Sequence, residues 1–114
     1  MLILTVSYDS ESLNRQIKEL ETDGHVIVPS SSLDSCLNAI GGGPYQILVI
    51  VPTVIMEDRT RLADVSREIR PEARIISIEH RGSPNLEKAD YRIKAGHEYE
   101  LIEVINQLRY RRYL

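Results

Sequence analysis

The side chains able to do chemistry fall into small clusters, and none of the clusters has the composition of a catalytic centre. Ser7-Tyr8-Asp9 joins two hydroxyls to a carboxylate, Glu79-His80 joins a carboxylate to an imidazole, and Lys94 stands at the end of a short strand-like run. A nucleophilic triad needs a hydroxyl, a base and an orienting acid held together, and Ser7 and Asp9 with any of the three histidines make no such set. His25, His80 and His97 lie in separate turns or strand ends without metal-ligand spacing, so isolated surface histidines are expected and no metal site. Gly41-Gly42-Gly43 has the composition of a phosphate cradle, but it precedes a strand instead of linking a strand to a helix N-terminus. It is a helix stop. Cys36 has no basic neighbour to lower its pKa and reads as a core or boundary residue; as the single cysteine it excludes an intrachain disulfide. The expectation is a protein that is not an enzyme and uses no cofactor.

The elements that must position these groups alternate strand with helix. Met1 to Val6 is a β-branched apolar run, and Ser10 or Ser12 opens a helix with Leu13, Ile17 and Leu20 on one face, closed by Gly24. His25 to Pro29 predicts a second strand, and the hydroxyls of Ser30-Ser31-Ser32 cap a short helix carrying Leu33, Leu37 and Ile40. Gln46 to Val51 is apolar without alternation, the pattern of a central parallel strand covered on both faces. A long polar helix with Leu62, Val65 and Ile69 at helical spacing stops at Arg70-Pro71; its Asp58, Arg59, Arg61, Asp64, Arg67 and Glu68 read as a solvated face. Ala73 to Ile78 predicts the fourth strand. Ser83 as cap and Pro84 at the first helical position predict a helical stub of barely two turns. Ala89 to Ile93 predicts the fifth strand, and Glu98 to about Arg112 a final helix with Leu101, Ile105 and Leu108 inward.

Five such alternations with short connections specify a parallel sheet with helices on both faces. At 114 residues, with 42% of positions apolar, residues 1–114 make one domain with a real core. The net charge of −3 offers no broad basic field, so the domain alone is not expected to bind nucleic acid; the basic tail from Arg109 to Tyr113 reads as a solvated helix end. No run approaches the ~20 apolar residues of a membrane span, and residues 1 to 8 lack the basic flank of a signal peptide. A cytoplasmic protein without membrane association is expected. In a doubly wound sheet, ligands gather at the carboxyl ends of the strands, which gathers Ser7-Tyr8-Asp9, Pro29-Ser30, Val51-Pro52, Glu79-His80 and Lys94.

On these residues the chain resembles the receiver domain of bacterial two-component response regulators over nearly all of its length. The best local match is Ala89-Asp90-Tyr91-Arg92-Ile93-Lys94, which looks like the family's fifth strand with an aromatic three residues before an invariant lysine. Glu98-Tyr99-Glu100-Leu101-Ile102 looks like the start of its last helix. The resemblance implies a five-stranded, flavodoxin-like parallel sheet of order 2-1-3-4-5. It also implies that Lys94 matches the lysine that contacts the phosphoryl group and Tyr91 the switch aromatic. The family's magnesium-binding acid pair falls on Ser7 and Tyr8, with Asp9 displaced by one position. Its acceptor aspartate falls on Val51, the hydroxyl residue of its fourth strand on Glu79, and the proline after its lysine on Ala95. A hard divalent ion needs several oxygen ligands, and phosphoryl transfer needs the cation and an in-line acceptor oxygen. The resemblance is therefore to an atypical receiver, or pseudo-receiver, that lacks the acceptor.

Two readings of Glu79 and Lys94 stand side by side: a pair in which the glutamate replaces the transient phosphoryl charge, or two side chains that reach solvent separately. The expected interaction face, following the family, is Leu86, Tyr91, Tyr99 and Arg109, serving a homodimer or another protein partner. The function expected is phosphorylation-independent signalling through protein contact. The alternatives are a small-molecule or nucleotide sensor using Ser7, Asp9, Val51, Glu79 and Lys94, and a true phosphoreceiver with a displaced acceptor such as Asp9.

Overall fold

A computed structural model describes residues 1–97 and 99–111. The elements run β1 (Leu2–Val6), α1 (Ser10–Thr22), β2 (Val26–Ser30), α2 (Leu33–Gly42), β3 (Ile47–Ile50), α3 (Met56–Ile69), β4 (Arg74–Glu79), β5 (Tyr91–Lys94) and α4 (Tyr99–Arg111). All strand pairs are parallel and the order is β2-β1-β3-β4-β5. This is the doubly wound sheet that the alternation of elements predicts. Every residue of β3 is buried, because it pairs with β1 on one side and β4 on the other and is covered on both faces.

Alternation along the strands divides the interior into two layers. Ile3, Val49, Val51, Ile76, Ile78 and Ile93 face α1 and α4, where Leu20, Leu101, Ile105 and Leu108 complete an apolar cluster. Leu4, Val6, Leu48, Ile50 and Ile75 face α2 and α3, packed with Cys36, Ile40, Tyr45, Leu62 and Ala63. This second layer contains polar groups: Tyr45 Oη and Ser66 Oγ share a hydrogen bond of 2.6 Å, and Ser77 is fully buried.

Helix ends follow local chemistry, with differences from the sequence reading. Asp9, not a serine, is the N-cap of α1, and its carboxylate accepts from the Ser12 backbone N–H and hydroxyl. Ser32 and Ser35 form a reciprocal capping box at α2. Helix α3 turns Arg59, Leu62, Ala63 and Ser66 inward, leaving Val65 half-buried and Ile69 exposed. The expectation of an apolar Leu62-Val65-Ile69 stripe is corrected there, since the buried face is rotated toward Arg59. Glu98 and Arg112, the expected limits of the last helix, lie outside the described residues.

The predicted stub at Ser83-Pro84 is not helical. Residues 81–90 form turns and irregular chain between β4 and β5, which leaves four helices among the described residues. The reason is the destination of the backbone polar groups. The Leu86 N–H donates to Glu79 Oε2 at 2.8 Å, while Arg92 Nη2 donates to the carbonyls of Leu86 and Glu87 and Arg67 Nη2 to that of Lys88. Side chains occupy the groups that a helical ladder would use, and Leu86 drops into the layer against α3.

Candidate functional site

The carboxyl ends of the strands bring the sequence candidates close in the fold, but the plane of the sheet separates them. Val51 directs its side chain into the α1/α4 layer with Ile78, and it is 1% exposed. Glu79 follows Ser77 on the opposite face, its carboxylate accepting from Ser77 Oγ at 2.9 Å and from the Leu86 N–H. Lys94 is the register partner of Glu79 but is exposed, and among the described residues no ion pair joins the two. The paired reading is thereby corrected: the glutamate carboxylate is turned inward to neutral donors, and the lysine faces solvent.

The group that organises this end of the sheet is Arg59, which corrects the expectation that it lies on a solvated face. It is 4% exposed. Its Nη1 donates to the Val51 carbonyl at 2.6 Å, and its Nη2 donates to the Ile78 carbonyl at 3.1 Å and to Ser77 Oγ. Burial pushes the Arg59 guanidinium down from its ordinary range, and the negative charge of Glu79 pushes it back up. Arg59, Ser77 and Glu79 thus form a buried, hydrogen-bonded charge network. Its signal was in the sequence, since positions 59, 62, 63 and 66 share one helical face.

Around β1 the hydroxyls are likewise committed. Ser7 Oγ, fully buried, donates to the Asp9 carbonyl and shares a 3.0 Å bond with Thr53 Oγ1, which also accepts the Tyr8 N–H. Tyr8 Oη donates to Asp58 Oδ2 at 2.8 Å; burial first, and the Asp58 carboxylate second, push its pKa above the usual phenol range. Asp9 is held below the usual carboxylate range by its Ser12 bonds, so the displaced acidic residue is occupied as a helix cap. Cys36 is buried and its thiol is pushed up to about 12 by desolvation. His25 is 4% exposed, which corrects its expected surface position: it bridges toward the Met1 amino group at 3.3 Å and Asp23 at 3.6 Å, and burial lowers its pKa. His80 and His97 are exposed.

No protein-family model matches the sequence, and no curated protein matches it either. Solved structures do match. A CheY-like response regulator receiver domain from Methanospirillum hungatei is 21% identical with a TM-score of 0.81, covering 93% of this chain and 90% of its own. The receiver domain of Francisella response regulator 1452 is 19% identical with a TM-score of 0.83, covering 96% of this chain and 97% of its own. The chain has the receiver fold. Response regulator TrrA from Thermotoga maritima, solved with Mg2+-BeF, is 20% identical with a TM-score of 0.78, covering 94% of this chain and 97% of its own, and it has also been solved with histidine kinase ThkA.

At the carboxyl ends of β1 and β3 the candidate residues offer few uncommitted oxygens. Val51 carries no side-chain oxygen and its carbonyl is taken by Arg59; Ser7 and Asp9 spend their oxygens on the β1–α1 turn. Among the described residues no group of three His, Cys, Asp or Glu side chains is placed to hold a metal ion. The expected interaction face is also divided. Leu86 is buried against α3, Tyr91 packs on the α4 layer, and Tyr99 is 62% exposed. Arg109 lies near His25, whose charging it disfavours, toward the start of β2 and away from the β5 edge. Leu86 is therefore removed from the face as a correction.

Proposed function

We propose that residues 1–114 form a single regulatory module that signals by binding another protein or a second copy of itself, without phosphorylation of its own. The observation that carries this reading is the Arg59 guanidinium bonded to the Val51 carbonyl at 2.6 Å, with Ser77 and Glu79 closing the network behind it. In this reading the buried Arg59-Ser77-Glu79 network supplies fixed charge at the end of the sheet where a receiver would carry a transient phosphoryl charge. Structures of this fold acting in two-component signalling, TrrA with ThkA among them, support a protein partner. The contact surface proposed is the exposed part of α4 around Tyr99, continuing to Tyr91 at the β5 edge, where 81–90 covers less than a helix would. The module is assigned to the bacterial cytoplasm, with no nucleic acid or membrane contact of its own; among the described residues no helix is long and apolar enough to cross a membrane.

The test is incubation with acetyl phosphate and Mg2+, followed by intact mass measurement and hydroxylamine treatment. No hydroxylamine-labile phosphoryl adduct is expected; a stoichiometric one overturns the reading. Sedimentation velocity with Tyr99→Ala then reads the contact surface, with weaker self-association or partner binding at unchanged thermal stability expected.

A further inference from the structure

We propose that the cavity between residues 79–85 and β5 is a binding site for a small, free anion carrying two or more negative charges, of the diphosphate class. The cavity, about 290 Å³, is lined by His80, Arg81, Ser83, Asn85, Arg92 and Lys94, with Glu79 at its inner wall. It opens at the ends of β4 and β5, and neither Val51, Ser7 nor Asp9 lines it. It is distinct from the cavity of about 230 Å³ that Val51 shares with Arg15 and Thr53. Residues 81–90 form turns and irregular chain beside it, with Gly82 in the left-handed region at φ +82° in the turn after β4.

The charge in this cavity is unbalanced in a molecule that is acidic as a whole. Arg81, Arg92 and Lys94 bring three cations against the single carboxylate of Glu79, and that carboxylate already faces Ser77, the Leu86 N–H and the charge of Arg59. Along the other end of the same segment each base has an acid: Arg67 and Arg74 meet Asp90 at 2.8 and 3.8 Å, and Lys88 meets Asp64 at 2.5 Å. Arg81 and Lys94 have no ion pair among the described residues, and both are exposed. Arg92 is held by two carbonyls and so presents its remaining guanidinium hydrogens from a fixed position. Ser83 and Asn85 add neutral donors beside the cations. Fixed and free cations with polar neighbours in one concavity match an anion with several oxygens, for which charge-assisted bonds are the strongest available.

Titration with inorganic pyrophosphate, read by backbone amide shifts at constant ionic strength, tests the site. Saturable shifts confined to residues 80–85 and 92–94 are expected, with Arg81→Glu and Lys94→Glu each raising the Kd about tenfold or more. The milder Arg81→Ala and Lys94→Ala variants, at exposed positions, give the same ranking if either charge reversal disturbs the fold. Shifts that potassium chloride reproduces, or that map to Arg15 and Thr53, overturn the proposal. Phosphorylation plays no part in the measurement, so its outcome is independent of the acetyl phosphate test.

Discussion

The two faces of the sheet solve the same packing problem with different chemistry. Toward α1 and α4 the layer is built mainly from isoleucine, leucine and valine, with the uncharged Thr5–Gln16 pair as its buried polar contact, and apolar burial dominates its stability. Toward α2 and α3 the layer ends, at the carboxyl edge, in Arg59, Ser77 and Glu79, which are buried and linked by hydrogen bonds. The comparison teaches where specificity resides. An apolar layer tolerates exchange of similar shapes, whereas a buried charge network accepts one arrangement, because any member left without its partner carries its full desolvation cost. The polar face is also the one where a loop replaces a helix, and the carboxylate that completes the network is the group that pins that loop through the Leu86 N–H.

Removing the cation should break the polar face most severely. Arg59→Met removes the buried cation of the network behind Glu79 and frees the Val51 and Ile78 carbonyls, so a loss of about 3–5 kcal/mol is expected in urea unfolding. Adding Glu79→Leu should return part of that loss; if the double variant is worse than the single, the two charges do not depend on each other.

Next in size is the loop anchor. Leu86→Ala should cost about 2–4 kcal/mol, in the range of large-to-small core substitutions, and hydrogen exchange should rise across residues 81–90 before the rest of the sheet. Uniform acceleration across β1 and β3 would show that the loop is not a separable clamp.

A smaller effect distinguishes the histidines. His25 has its folded pKa lowered by burial, then by the Met1 amino charge, so the unfolded chain binds more protons than the native one as pH falls below the ordinary value near 6.5. The stability from neutral His25 is fully present above that value and is lost as pH falls through the lower folded pKa. Denaturation midpoints should therefore decline as pH falls below about 6.5, and His25→Gln should flatten that decline. The same slope in the variant would assign it to other groups.

The smallest expected effect is the coupling of Glu79 with Lys94. Since the carboxylate points inward and the ammonium outward, Lys94→Ala and Glu79→Ala should add within about 0.5 kcal/mol in a double-mutant cycle. A larger coupling would restore the ion pair that strand register alone suggests.

Much of the fold was legible in the chain. The continuous apolar run at β3, the Ser32 cap, Gly24 after α1 and the inward Leu101, Ile105 and Leu108 are local signals, and each element they mark is present. The site was less legible. Arg59 sits among charges that look solvated in sequence, and only the 59-62-63-66 face hinted at its burial. Ser83-Pro84 carries a sound helix-start signal, yet the helix is absent because Glu79, Arg67 and Arg92 reach its backbone from other elements.

The sequence by itself determined the alternation of strands and helices, the central position of β3 and the lack of a side-chain oxygen at Val51, since side-chain identity and short-range periodicity are properties of the chain alone. Only the tertiary structure decided that Val51 and Glu79 lie on opposite faces, that Arg59 is buried and that Leu86 belongs to the core. Those outcomes depend on which distant polar group finds which partner once water is excluded, and a local pattern such as the 59-62-63-66 face hints at that choice without fixing it.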